Sequence, residues 1–341
     1  MRRCSMKKVV AMAIIFGFLF AFTVPEAKSA EMVLKAVTMF PKPHLNNDPV
    51  PIFVDKVNKR AQGRLRIDWV GGPEVIKGFD QPHAMKAGTI DMILYMAFAY
   101  CKSLMPEAEA QGLSELAIWE ERKTGAFELW SEIFEKRLNA KYIGRLHSLI
   151  PFQLYTNKEV KTVEDFKGLK IRVMPLYIPF MKALGAAPVM IPPPDIYTSM
   201  ERGVVDGFMW PNVGVISWGL QEVTKYVIRP GVFQMEPATL IHMAKWNQIP
   251  KDLQEMIMDV VQDVEYIGSM RNEMITEKED MVRKEAGMKD IVLPPGEAEK
   301  FRNLAYDKTW EVVIKNAPEN GPKLRELSSK KAIPKGTFPW Q

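Results

Sequence analysis

Between Pro250 and about Glu285, apolar residues recur at three- and four-residue steps: Leu253, Met256, Ile257, Val260, Val261, Val264, Ile267, Met270, Met274 and Ile275. That spacing predicts one amphipathic helix. About 35 residues at 1.5 Å each make a rod on the order of 50 Å long, which exceeds the width of one ordinary domain. Such a helix is either half of a coiled coil or a strut laid across two domains. The stripe lacks sustained heptads, which favours the strut. A length of 341 residues fits two domains of usual size, and 47% hydrophobic residues supply their cores.

The rest of the chain reads as two α/β units. Val33 to Phe40, Leu65 to Val70 and Ile90 to Met96 are strand-like, with helical stretches at about Val50 to Arg60 and Gln81 to Lys86 between them. A β-α-β-α-β order predicts a largely parallel sheet. After Arg145 the pattern restarts. Leu149 to Asn157 is extended, and Leu169 to Met174 is a strand in which Lys170 and Arg172 alternate with apolar neighbours. Tyr177 to Leu184 is a short helix stopped by Gly185. Ala187 to Ile191 is a strand ended by three prolines, and Asp195 is expected to cap a helix through Met200. Val204 to Trp210 is a third strand, and Gly296 to Lys315 a covering helix before a loop from Lys330. Ligands of such sheets sit at the carboxyl ends of strands, so two facing units predict a cleft that closes by hinge motion.

The N-terminus reads as an export signal. Arg2, Arg3, Lys7 and Lys8 precede the apolar run Val9 to Val24, Pro25 breaks it, and Ala27-Lys28-Ser29 offers small residues to a signal peptidase. Cleavage is expected after Ser29 or Ala30; a retained anchor is the competing reading, since the run is near the short end for a spanning helix. The first 29 residues carry five cations against Glu26, so they hold +4 of the chain's +5. The remainder is almost neutral, and the basic balance gives no reason to expect a nucleic-acid partner. Cys4 precedes the apolar run, and Cys101 alone cannot form an internal disulfide.

Five segments in order resemble a known family. These are Gly63-Arg64-Leu65, Ala87-Gly88-Thr89-Ile90-Asp91-Met92, Asp165 to Val173, Ala183 to Val189, and Ile196 to Gly207. Together, from about residue 33 to about 300, they resemble the solute-binding proteins of tripartite ATP-independent periplasmic (TRAP) transporters, the C4-dicarboxylate-binding proteins among them. The resemblance implies a two-lobed, type II-like periplasmic-binding-protein fold with a domain-spanning helix. On that reading lobe I is 31–150 plus about 238–278, and lobe II is 151–237 plus about 279–341. It also implies a monomeric periplasmic receptor that captures a small organic acid and hands it to small and large membrane subunits.

In that family an Arg matching Arg172 clamps the ligand's carboxylate, a role suited to the planar fork of a guanidinium; from strand alternation alone, Lys170 and Arg172 could equally both face water. Where many relatives carry an Asn after the Asp-Gly turn, this chain has Trp210, with Asn212 as a substitute amide. A Glu that helps hold a metal in some relatives is replaced by Met209, a poor ligand for hard cations, so neither metal nor cofactor is expected. Further candidates follow strand ends: Phe40, His44 and Asn47 after the first, Glu74 after the second, and Tyr95, Phe98 and Tyr100 at the third. Phe152 and Tyr155 precede the Arg-bearing strand, Met174 follows it, and Tyr197 lies on the next helix. His44 reads as loop polarity or as a ligand contact charged below pH ~6.5, and Glu74 as a solvated carboxylate or a contact. Tyr197 could equally be a packing residue, and a core aromatic is the alternative for Trp210.

An enzyme is not expected. The chain has no GxSxG, HExxH or phosphate-loop pattern, and His44, His83, His147 and His242 have no metal-ligand spacing. An exported ligand-presenting sensor, or a periplasmic hydrolase with carboxylates far apart in sequence, are the alternatives. N-terminal sequencing of the exported protein is expected to start at Ala30 or Glu31; full-length chain in the membrane fraction would favour the anchor.

Overall fold

The computed structural model describes residues 31–235 and 237–334. The expected signal segment with Cys4, and the chain beyond 334, lie outside the described residues. The opening alternation is present as β1 (Met32–Thr38), α1 (Pro49–Arg60), β2 (Leu65–Gly71), α2 (Gln81–Ala87) and β3 (Met92–Ala97). Then come α3 (Ile118–Thr124), α4 (Ala126–Leu138) and β4 (Ala140–Gly144). The restart is β5 (Ile150–Thr156), β6 (Lys170–Arg172), α5 (Ile178–Ala183), β7 (Ala187–Val189), α6 (Ile196–Glu201) and β8 (Gly207–Pro211). The chain continues through β9 (Tyr226–Met235), β10 (Pro237–His242), α7 (Met243–Trp246), α8 (Lys251–Glu285), β11 (Lys289–Val292), α9 (Pro295–Asn316) and α10 (Gly321–Leu327). Gly185 takes φ +74° after α5, as a helix stop requires. Asp195 stands at the start of α6 but its side chain makes no capping bond. Lys330–Ala332 forms one 3-10 turn in place of the expected loop.

Two sheets centre two α/β lobes. The first has the order β2-β1-β3-β10-β4 and the second β11-β9-β5-β8-β6-β7. The expected parallel pairing holds for β1 with β2 and β3, and for β6 with β7 and β8. The sheets are nevertheless mixed. β10 runs antiparallel between β3 and β4, and β5 runs antiparallel to both β8 and β9. The β-α-β argument fixes direction only for strands joined by a helical crossover. β5 and β10 enter their sheets by other connections, so local order left their direction open.

The long helix is α8, 35 residues. Its first half behaves as its periodicity predicts: Leu253, Ile257, Val260, Val261 and Val264 are buried, and it packs on α1 and β4. Its second half does not. Met270 and Met274 are each 70% exposed, and the buried positions there are Asn272, Glu279 and Arg283. The helix has left the apolar core by this point and meets polar loops. Glu265 accepts from Arg122 Nη2 at 2.7 Å and from the Arg145 N–H at 3.4 Å. Two heptads on, Glu279 accepts from the N–H groups of Gly214 at 2.8 Å and Val215 at 3.1 Å.

Gly268 lets α8 approach the chain below it. A Cβ there would lie 2.0 Å from the Leu146 carbonyl oxygen. Helix propensity alone makes Gly→Ala favourable by roughly 1 kcal/mol, whereas forced overpacking costs about 1–3 kcal/mol. Gly268→Ala is therefore expected to lower stability in urea unfolding; a gain would refute the close approach.

Candidate functional site

A cavity of about 50 Å³ lies where strand ends of the two lobes face each other. From the first lobe, Met39 and Phe40 follow β1, Ala97 ends β3, and Ala99 and Tyr100 follow it. From the second, Arg172 ends β6, with Met174 and Tyr177 just beyond it, and Trp210 and Pro211 end β8. Because β5 is antiparallel to β8, it is the beginning of β5 that reaches the cavity, at Phe152. Pro193 and Met235 complete the wall.

Arg172 is the cavity's cation, and it is 1% exposed. Its Nε donates to Ile191 O at 2.8 Å, Nη1 to Met209 O at 3.4 Å and Nη2 to Met174 Sδ at 3.4 Å. Its guanidinium lies 5.6 Å from the Trp210 ring centroid. All of these partners are neutral. Among the described residues Arg172 forms no ion pair, unlike buried Arg145, which pairs with Glu121 at 3.0 Å. Burial pulls its pKa down to about 10, against the opposing pull of Tyr100 and Tyr177, so it remains charged at neutral pH. A buried charge without a counter-ion is costly. This one is braced by the main-chain oxygens of Ile191, just beyond β7, and Met209, within β8, and lines the cavity.

Of the residues expected from the sequence, Phe40, Phe152, Arg172, Met174, Trp210 and Tyr100 line the cavity. The others are placed elsewhere. Asn47 Nδ2 donates to Phe40 O at 3.2 Å and Pro41 O at 2.7 Å, so it shapes the turn after β1. Glu74 is exposed and accepts from the Gly72 N–H at 2.7 Å. Tyr197 donates to Glu222 at 3.2 Å on another surface. Tyr95 is buried with its hydroxyl on His147. Phe98 packs edge-on against Trp130 and Phe134, both at 4.9 Å. Tyr155 stacks on Phe208 at 5.0 Å and accepts from Arg283 Nη1 at 2.8 Å. Asn212 is buried, its Oδ1 unpartnered, but it is not part of the cavity wall. Among the described residues no three His, Cys, Asp or Glu side chains gather as a metal site.

The residues missed were Met39, Ala97, Ala99, Tyr177, Pro193, Pro211 and Met235. One of them, Ala97, follows from a local signal. Phe98–Cys101 is a 3-10 turn, in which positions three apart share a face. Ala97 and Tyr100 therefore point the same way, and Phe98 points into the core. Read as strand, the segment gave the wrong partners.

His44 stacks on Phe40 at 4.2 Å and lies 5.5 Å from Trp218, with Gly214 of the second lobe against it. Its Nδ1 accepts from the Asn46 N–H at 3.1 Å. Burial pulls its pKa down to about 4, so it stays neutral well below the pH ~6.5 at which an exposed imidazole gains charge. A lowered folded pKa contributes stability that is complete above about pH 6.5 and is lost as pH falls toward 4. His44→Gln is expected to flatten the fall in melting temperature between pH 6.5 and 4.5, by the equivalent of about 2 kcal/mol; parallel curves for the two proteins would contradict it.

Comparison with known proteins follows the same lines. The family model described as bacterial extracellular solute-binding protein, family 7, matches residues 39–316. A solute-binding protein of Albidiferax ferrireducens is 27% identical over 276 residues, which is 76% of this chain and 78% of that one. A monocarboxylate 2-oxoacid-binding periplasmic protein of Nostoc is 28% identical over 189 residues, covering 54% of this chain and 50% of its own. Among solved structures, a TRAP periplasmic solute-binding protein from Desulfovibrio salexigens with bound orotic acid superposes with TM-score 0.79 at 21% identity, covering 88% of this chain and 98% of that one. A Bordetella pertussis receptor binding pyroglutamic acid gives 0.75 at 17% identity, covering 87% and 99%. With the family model spanning most of its length and its fold shared with TRAP receptors, the chain belongs to family 7 of the bacterial extracellular solute-binding proteins.

Proposed function

We propose that this protein is the periplasmic receptor of a TRAP transporter, holding a small organic acid between its lobes with the acid's carboxylate on Arg172. The observation that carries this is a guanidinium 1% exposed, lining a cavity, with only neutral partners among the described residues. An anion entering the cleft supplies the missing counter-charge, and two N–H groups in one plane match its two oxygens. Relatives named for carboxylate ligands, and structural neighbours holding orotic acid or pyroglutamic acid, support the same chemistry. On this reading the lobes are 31–150 plus about 238–278, and 151–237 plus about 279–341. Delivery is to small and large membrane subunits, and the protein performs no catalysis.

The test separates binding from folding. A thermal-shift screen of organic anions identifies a ligand, since one that binds only the folded state raises its melting temperature. Arg172→Met then removes the charge at similar volume. Replacing a buried unpaired ion by an apolar side chain is neutral or stabilising, so the unliganded variant is expected to melt at or above the parent temperature. Its affinity for the acid, by calorimetry, is expected to fall by about 2–5 kcal/mol. A loss of less than threefold would remove Arg172 from the site.

A further inference from the structure

The polar groups of the cavity can be counted, and the count bears on what kind of acid fits. A guanidinium has five N–H donors. Arg172 uses one on Ile191 O, one on Met209 O and one on Met174 Sδ, which leaves one on each terminal nitrogen. That is enough for one carboxylate held by both oxygens. Among the described residues no other lining side chain is charged, and none carries a carboxamide or an aliphatic hydroxyl. Among the described residues, what polarity remains is the phenols of Tyr100 and Tyr177 and the indole N–H of Trp210, the last without a partner there.

The side chains that could have widened this set are held elsewhere. Asn47 donates to two backbone carbonyls, Glu74 accepts from a backbone N–H, and Tyr197 is on Glu222. Asn212 is outside the wall. The remaining wall is apolar. Phe40, Tyr100, Phe152 and Trp210 offer ring surface, and Met39 and Met235 offer flexible thioethers that adapt to irregular shapes.

We propose that the ligand is an apolar monocarboxylate, its one carboxylate on Arg172 and its alkyl or aryl body among Phe40, Phe152, Tyr100 and Trp210. This rests on the reading of Arg172 as the anion clamp. A second carboxylate entering this cleft would be desolvated with no second cation among the described lining residues to meet it. The hydroxyls of a sugar acid would lose water and find two phenols and one indole in exchange. A compact branched or aromatic body loses nothing of the kind, and gains the contact surface of the rings.

Calorimetry with named probes decides the matter. Isobutyrate, isovalerate and benzoate form one set; succinate, malate and glucuronate form the other. The best apolar acid is expected to bind at least about tenfold tighter than any of the second set, the scale of discrimination one or two hydrophobic groups give. Phe152→Ala is expected to weaken benzoate by about tenfold while leaving its affinity ratio to Arg172→Met large, which a general loss of fold would not do. Any member of the second set binding within tenfold of the best apolar acid, and losing that binding in Arg172→Met, overturns the apolar assignment and leaves the carboxylate receptor intact. If no probe of either set binds, the clamp itself is refuted and the assignment with it.

Discussion

One face of α8 fastens the two lobes to each other. Glu265, Asn272 and Glu279 stand seven residues apart and all are buried. Glu265 reaches Arg122 and the Arg145 N–H on the first-lobe side, and burial pushes its pKa up to about 7 even beside those cations. Glu279 holds the N–H groups of Gly214 and Val215, in the loop that leaves β8 on the second-lobe side. Between them Gly268 brings the helix against Leu146 O. Buried carboxylates are tolerated only where donors meet them, so each end of this face has one acceptable position on its lobe. The strut therefore sets where β8 ends relative to β1 and β3, and so where the cavity forms.

Arg172 depends on that placement. Its guanidinium is carried by β6, aimed by carbonyl oxygens of Ile191 and Met209, and covered by Trp210 of β8 and by Phe40 and Tyr100 of the opposite lobe. Each of these partners is neutral, and among the described residues the guanidinium forms no ion pair. A charge kept this way is a stability cost held in place by its surroundings, the arrangement expected where function and stability compete. His44 extends the same contact. It stacks on Phe40, a Cβ on Gly214 would lie 3.0 Å from its Cε1, and it stays neutral there because burial disfavours the charged ring.

Much of this was legible in the sequence. Arg172 and Trp210 were singled out by the family resemblance, since alternation alone let Arg172 face water beside Lys170; Phe40, Tyr100 and Phe152 were named for flanking strand ends, and all five line the cavity with Met174. The failures have identifiable causes. Tyr155 sits near the far end of β5, three residues or about 10 Å from Phe152; a strand running antiparallel to its neighbours puts that end away from the cleft. Phe98 was lost because a 3-10 turn replaced strand alternation. Asn47 and Glu74 are polar loop residues that satisfy their own backbone, a role no spacing distinguishes from a ligand contact. Met270 and Met274 fit the helical period but face outward, because the apolar core beneath α8 ends before them.

The sequence by itself determined the local order: alternating strands and helices, a helix too long for one domain, glycines where helices must stop, and a cation among apolar neighbours. Periodicity and turn chemistry act over a few residues, so they can be read without knowing what lies opposite. Only the tertiary structure decided the rest. It inserted β10 between β3 and β4, reversed β5, turned the lower half of α8 to buried carboxylates, and brought Phe40 and Tyr100 against a guanidinium more than seventy positions away in the chain. Those outcomes depend on sheet order and on which buried polar group finds a partner, and both are properties of contacts between distant segments.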